Sequence, residues 1–173
     1  RGLMSPAKRR RLNLYVKQHR VDILLLQETH VADNSLMTEI ANEWGMRGYW
    51  SLGSYQSKGV AILFKLSLNV THNCHFRDSD GHLVIVNMKI GDENFRLINI
   101  YAPNKARERY NFFKAVEDRL HAPGIRVLVA GDFNCVEDAS LDRITTPGNR
   151  VVFYDIKLLT EWARAYAIED VFR

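Results

Sequence analysis

With 173 residues, 46% of them hydrophobic and 25% charged, the chain can bury one real core and has the balance of an ordinary globular domain. Its longest apolar runs, Ile23–Leu26 and Val60–Phe64, are far too short to span a bilayer, and no secretory signal opens the chain. The formal charge of +4 comes wholly from residues 1–20, which hold seven Lys or Arg and no acid; the rest sums to −3. In chain order, Ser5-Pro6 reads as a helix start. Leu12, Tyr15, Val16 and His19 follow at helical spacing, with the basic run Lys8–Arg11 on the solvent side. Ile23–Leu26 is a strand ending in Gln27-Glu28-Thr29-His30. Leu36, Met37, Ile40 and Trp44 form the apolar stripe of a second helix, which Gly45 and Gly48 break.

From Tyr49 the character turns to β. Tyr49–Leu52, Gly59–Phe64, Val70–Phe76 and Leu83–Ile90 read as strands between turn residues. Ile90 to Phe95 is a hairpin signal, and its second strand runs to Tyr101, where Pro103 closes it. A helix over Ala106–Leu120 shows Tyr110, Phe113, Val116 and Leu120 on one face. Ile125 to Asn134, IRVLVAGDFN, reads as a buried central strand that stops at Gly131. A polar loop to Arg150 and a helix near Tyr154–Ala165, striped by Leu158, Leu159 and Trp162, complete the reading. Hairpins flanked by helices predict an α/β sandwich. Two cysteines, Cys74 and Cys135, are too few for a disulfide framework, so both are expected to stay unpaired in a reducing compartment.

Three apolar strands end in polar groups: LLLQETH at Glu28, LINIYAPN at Tyr101 and Asn104, and VLVAGDFN at Asp132 and Asn134. Each has a dull explanation: Glu28 an exposed acid, Tyr101 a half-buried β residue, Asn104 a helix cap, Asp132-Asn134 a turn. Together they supply two carboxylates, two carboxamides and a phenol, without a Cys or His cluster. Oxygen donors of this kind suit a hard divalent cation such as Mg²⁺. That chemistry fits phosphoester hydrolysis, in which a metal offsets phosphate charge and a carboxylate activates water.

QET, YAPN and GDFN, in this order, resemble the endonuclease/exonuclease/phosphatase superfamily, which includes apurinic/apyrimidinic endonucleases. The phrases RGL, LLLQETH, SKGVAILF, LINIYAPN, GDFNCV, LDR and DVFR are closest to the endonuclease domain of non-LTR (long interspersed) retrotransposons. The resemblance implies a four-layered α/β sandwich, two packed mixed sheets flanked by helices, incomplete at both ends, with residues 1–173 as one domain. It implies a Mg²⁺-dependent DNA endonuclease that nicks target DNA, with Mn²⁺ as an alternative metal. Glu28 would bind the metal and Asp132 would activate water. Tyr101, Asn104 and Asn134 would join the catalytic network, Asn104 and Asn134 also holding the substrate phosphate.

Departures from the family pattern carry expectations of their own. The family's first catalytic Asn would precede Arg1, and its Ser-Asp-His segment would follow Arg173. Residues 1–173 alone are therefore expected to cleave DNA hardly at all, and none of the six histidines takes the missing role. The implied partner is the DNA phosphate backbone, with no membrane; a monomer and an intracellular, nuclear setting are expected. Two other readings stand beside this one. The chain is an inactive remnant that only binds nucleic acid, or a relative acting on phosphoinositides or other small phosphoesters.

Overall fold

The computed structural model describes residues 2–120, 123–135 and 154–169; the polar loop to Arg150 and the LDR and DVFR phrases lie outside them. In order the elements are α1 (Pro6–Gln18), β1 (Ile23–Leu26), α2 (Asn34–Trp44), β2 (Met46–Ser51), β3 (Val60–Lys65) and β4 (Thr71–Arg77). They continue with β5 (Leu83–Ile90), β6 (Glu93–Tyr101), α3 (Ala106–Leu120), β7 (Arg126–Asp132) and α4 (Tyr154–Ala165). No described helix is long and apolar enough to cross a membrane. The chain divides into two compact units. The first runs to Tyr101 and includes Gly124–Asp132; the second holds Ala102–Pro123 and everything from Phe133 onward.

The first unit is built on two sheets. One has the order β1-β3-β2 and the other β4-β5-β6-β7. Both were expected to be mixed, but only the second is. Its β6 and β7 run parallel, while β3 is antiparallel to both of its neighbours. The reason lies in the crossover: β1 and β2 run the same way and α2 joins them, but β3 lies between and keeps them from pairing. The sheets pack through Val60, Ile62 and Phe64 of β3 against Val84, Val86 and Met88 of β5 and Leu97 and Tyr101 of β6. Residues two apart on a strand share a face, so this inner face is written in the sequence as every second position.

The outer face of the first sheet, Ala61 and Leu63, packs with Val16 of α1 and with Ile40 and Trp44 of α2. At the start of α2 the Asp33 carboxylate accepts the Leu36 N–H at 2.8 Å, and this bond holds its pKa below the usual value. Gly45, at φ +63, ends the helix, whereas Gly48 lies inside β2, where a Cβ would strike the Ile62 carbonyl. On α1, Leu12 and Val16 turn inward, but Tyr15 and His19 do not: both are exposed, their rings tilted against each other with centroids 4.2 Å apart. The basic run also divides. Lys8, Arg10 and Arg11 are exposed, while Arg9 is 4% exposed. Its guanidinium meets Glu39 at 2.5 Å and Glu43 at 3.3 Å.

Strand β7 also departs from expectation. It was read as a buried central strand, yet among the described residues it pairs only with β6 and stands at the sheet's edge. Its exposure alternates, with Val127 and Val129 half-buried and Leu128 exposed. A run of small β-branched residues satisfies an edge strand as well as a central one, so composition alone could not separate them.

In the second unit, Phe113 of α3 meets Trp162 of α4 edge-on, ring centroids 5.0 Å apart, and Phe133 lies 6.4 Å from Phe113. Val116 and Leu120 are buried as expected, but Tyr110 points outward and Arg109 takes the inner position instead. Leu159 of α4 is partly buried; the side chain of Leu158 lies outside the described residues.

Candidate active site

Glu28 follows β1 in a loop that the backbone clamps from behind. Thr29 N–H donates to the Gly59 carbonyl at 3.0 Å, His30 N–H to Lys58 at 2.9 Å, and Leu3 N–H to Thr29 at 2.7 Å. Within this clamp Glu28 and His30 both adopt left-handed backbone angles, φ +50 and +56, which non-glycine residues rarely take. Such conformations persist only where the surroundings over-determine them. Gly59, at φ +94, comes so close that a Cβ would strike the Thr29 hydroxyl. This is why the SKG and QET phrases belong together: the glycine lets one chain segment lie directly behind the other.

Glu28 is exposed, and its Oε1 accepts the Tyr101 hydroxyl at 2.6 Å. Tyr101 closes β6 and is 7% exposed. On β7, Asp132 is the register partner of Tyr101, and register partners on adjacent strands project to the same sheet face. Glu28 and Asp132 therefore flank one tyrosine, and β1 lies against β7. Gly131 makes this pairing possible. At φ +138 it lies against Ile100, and any Cβ would run into the Ile100 backbone.

Asn104 and Asn134 belong to the second unit. The Asn134 carboxamide donates to the Ala102 carbonyl at 2.6 Å from a left-handed backbone at φ +49, a region asparagine tolerates. Asn104 is exposed, and it is not the cap of α3. Lys105 supplies the carbonyl that receives the Arg109 N–H, at 2.9 Å, and so stands at the cap position. The Asn104 and Pro103 carbonyls instead accept the buried Arg109 guanidinium at 2.7 and 2.9 Å.

Beneath Glu28 lies a polar group that the sequence reading passed over. Asn99 of β6 is wholly buried, and its amide donates to the Leu26 and Ala61 carbonyls, both at 2.9 Å. Its oxygen accepts the Gln27 amide at 2.6 Å. Asn99 thus ties β6 to β1 and β3 of the facing sheet immediately before Glu28. The signal was present, since Asn99 and Tyr101 share a strand face, but a lone Asn within LINIY read as part of an apolar run.

The donor set fits a hydrated hard cation. Two carboxylates flanking one phenol suit a hard divalent cation that keeps several waters and needs few protein ligands. No group of three or more His, Cys, Asp or Glu gathers among the described residues, so a closed Cys/His cage is absent there. Cys74 and Cys135 are not joined in a disulfide, as expected.

A model of the Endonuclease/Exonuclease/phosphatase family matches residues 3–164. The chain belongs to that family. Among curated relatives, an uncharacterized 149 kDa protein of transposon TX1 from Xenopus laevis is 25% identical over 140 residues. The match takes in 80% of this chain and 11% of that protein. Among solved structures, the AP endonuclease LMAP of Leishmania major superposes with a TM-score of 0.70 at 17% identity. That superposition covers 94% of this chain and 63% of the enzyme. The endonuclease domain of TRAS1, a telomere-specific non-LTR retrotransposon, gives a TM-score of 0.63 at 17% identity, over 94% of this chain and 68% of that domain. At such identities the structural likeness establishes the endonuclease/exonuclease/phosphatase fold, which matches the expected α/β architecture.

Proposed function

We propose that this family member is a Mg²⁺-dependent phosphodiester hydrolase of the retrotransposon-endonuclease type, nicking DNA by in-line attack of water. The observation that carries the reading is the Tyr101 hydroxyl on Glu28, with Asp132 as the register partner of that tyrosine. Glu28 would hold the metal, with Mn²⁺ as a substitute. A bound divalent cation offsets the phosphate charge and stabilises the leaving oxygen. Asp132, exposed at the strand end, orients and deprotonates the water. Tyr101 steadies the free orientation of Glu28 by occupying one of its oxygens. Asn104 and Asn134 are assigned to the phosphate because a carboxamide donates hydrogen bonds without adding negative charge, an assignment that rests on the YAPN and GDFN motifs. The relatives named above are transposon or endonuclease proteins, and the basic first segment favours a polyanion; both support DNA over a small phosphoester. The nucleus is the proposed place of action, with residues 1–173 as the catalytic domain.

The test is nicking of supercoiled plasmid in Mg²⁺ and in EDTA, read against a protein-free blank, however slow the wild type. Glu28→Gln and Asp132→Ala should each lower the rate about 10²-fold or more. Calorimetric Mg²⁺ binding should weaken in Glu28→Gln. DNA binding with no cleavage above the blank would favour the non-catalytic reading. Hydrolysis of a phosphoinositide in preference to DNA would favour the small-phosphoester one.

A further inference from the structure

We infer that His82 is a positioning residue that fixes Tyr101 for its bond to Glu28, an inference that rests on the reading of Glu28 and Tyr101 as site residues. His82 immediately precedes β5, and it faces Tyr101 one step past the last paired residues, Leu83 and Ile100. An antiparallel pair at this step would exchange two backbone bonds. One is made: Tyr101 N–H donates to the His82 carbonyl at 2.8 Å. The His82 N–H, however, turns away and donates to the Asp78 carboxylate, 3.2 Å from each oxygen. The imidazole takes the vacated place, its Nδ1 lying 2.5 Å from the Tyr101 carbonyl oxygen. A carbonyl only accepts, so Nδ1 carries the proton. With the ring anchored there, it lies nearly parallel to the phenol, centroids 5.7 Å apart and planes 12° apart. The backbone and the ring of Tyr101 are thus both set by one neighbour.

The diversion that frees the imidazole is itself built in. Asp78 also accepts the Leu83 N–H at 3.0 Å and the Ser51 hydroxyl at 2.5 Å. The same Ser51 oxygen accepts the Gly81 N–H at 3.0 Å. Ser51, on β2 of the facing sheet, therefore holds the turn that aims His82. The chain of contacts runs Ser51, Asp78, His82, Tyr101, Glu28, from one sheet to the other and back to the strand end that carries the acid. His82 is bonded to Tyr101 and Tyr101 to Glu28, so the role argued for His82 is positioning.

Two measurements test this. The first needs neither metal nor substrate. A phenolic proton held at 2.6 Å by a carboxylate exchanges slowly enough to give a downfield NMR signal, identified by its absence in Tyr101→Phe. That signal should vanish in His82→Ala and persist in His82→Asn, whose amide can replace the Nδ1 donor. The second is nicking. His82→Ala should lower kcat about tenfold, the size of one ordinary hydrogen bond, with KM changed less. His82→Asn should recover most of the rate. In a Tyr101→Phe background the His82→Ala change should cost almost nothing more, since residues acting through one another are not additive. A Tyr101 signal and kcat unchanged in folded His82→Ala would overturn the inference, as would fully additive losses in the double variant. Absence of wild-type nicking would count against the hydrolase reading alone, because the NMR signal would still decide the role of His82.

Discussion

Strands β6 and β7 lie side by side in register and both end in candidate site residues, yet one is buried and the other exposed. From Arg96 to Tyr101, β6 is buried at every position. It carries two polar side chains on its inner face, and both are bonded: Asn99 to Gln27, Leu26 and Ala61, and Tyr101 to Glu28. Strand β7 is exposed at Arg126, Leu128 and from Ala130 to Asp132, and it pairs with β6 through a glycine, Gly131, where no Cβ would fit. A buried polar residue must have partners, so β6 locates its tyrosine by a network. Strand β7 sets its exposed aspartate in register with that tyrosine. Helix α1 repeats the contrast within four residues, where Arg9 is buried and paired beside the exposed Lys8, Arg10 and Arg11.

The sharpest way to break the comparison is Gly131→Ala. If register places Asp132, a Cβ driven against the Ile100 backbone at φ +138 must either separate the strands or slip the pairing. We expect a loss of about 3–4 kcal/mol in unfolding free energy from strain and displaced packing. The measurement is chemical denaturation with nicking in parallel. A near-wild-type midpoint would mean that β7 is loosely held and that register is not what places Asp132. On β6 the corresponding change is Asn99→Leu, which keeps the branched outline, though bulkier, and is unable to bond. It leaves the Leu26 and Ala61 carbonyls buried without their donor, and about 2–3 kcal/mol should be lost. A variant as stable as wild type would show that the interior network is dispensable.

These two positions also mark what the sequence could and could not reveal. A strand before GDFN was legible from its apolar run, but Gly131 was read as its end and lies inside it, paired with Ile100, because a glycine also serves where two backbones approach closely. Strand β5 and helix α3 were read to the residue, since each has a clear period and a defined stop. Asn99 was not legible, because its meaning depends on which sheet lies opposite, and that is a long-range fact. The edge position of β7 was hidden for the same reason. Arg9 could have been separated from its neighbours on paper. A helix turns 100° per residue, so four consecutive residues cannot share one face. Of the candidate site, the pairing of Glu28 with Tyr101 follows motifs on the page, whereas the anchoring turn at Asp78 and His82 carries no motif.

Helix α1 allows a finer test of buried against exposed charge. Arg9→Ala should destabilise by about 1–2 kcal/mol, because one buried guanidinium leaves with its bonds to Glu39, Glu43 and the Leu3 carbonyl. Lys8, Arg10 and Arg11 changed together to Ala should leave thermal stability nearly untouched. If they meet the DNA backbone, the slope of log affinity against log salt should flatten by roughly 2–3, as fewer counterions are released. An unaltered slope would mark them as a solvated face, and the contrast with Arg9 would then concern stability alone.

The smallest effect concerns His72 on β4, another half-buried polar group at a sheet edge. Its ring stacks on Phe64 at 4.1 Å, and Nδ1 lies 3.0 Å from the Tyr49 hydroxyl. Burial, with the Arg47 charge as a lesser cause, lowers its pKa from 6.5. The folded state therefore favours neutral imidazole, and the unfolded chain takes up the proton more readily. Stability linked to His72 is fully present above 6.5 and is lost as pH falls through the lower, folded value. The melting temperature should accordingly fall between pH 7.5 and 5 more steeply in wild type than in His72→Phe, which keeps a ring against Phe64 and cannot titrate. Offsets from the lost Tyr49 contact cancel, because only the pH slope is compared. Parallel slopes for the two proteins would mean that the imidazole is solvated well enough to protonate without loss, setting His72 apart from the buried polar groups of β6.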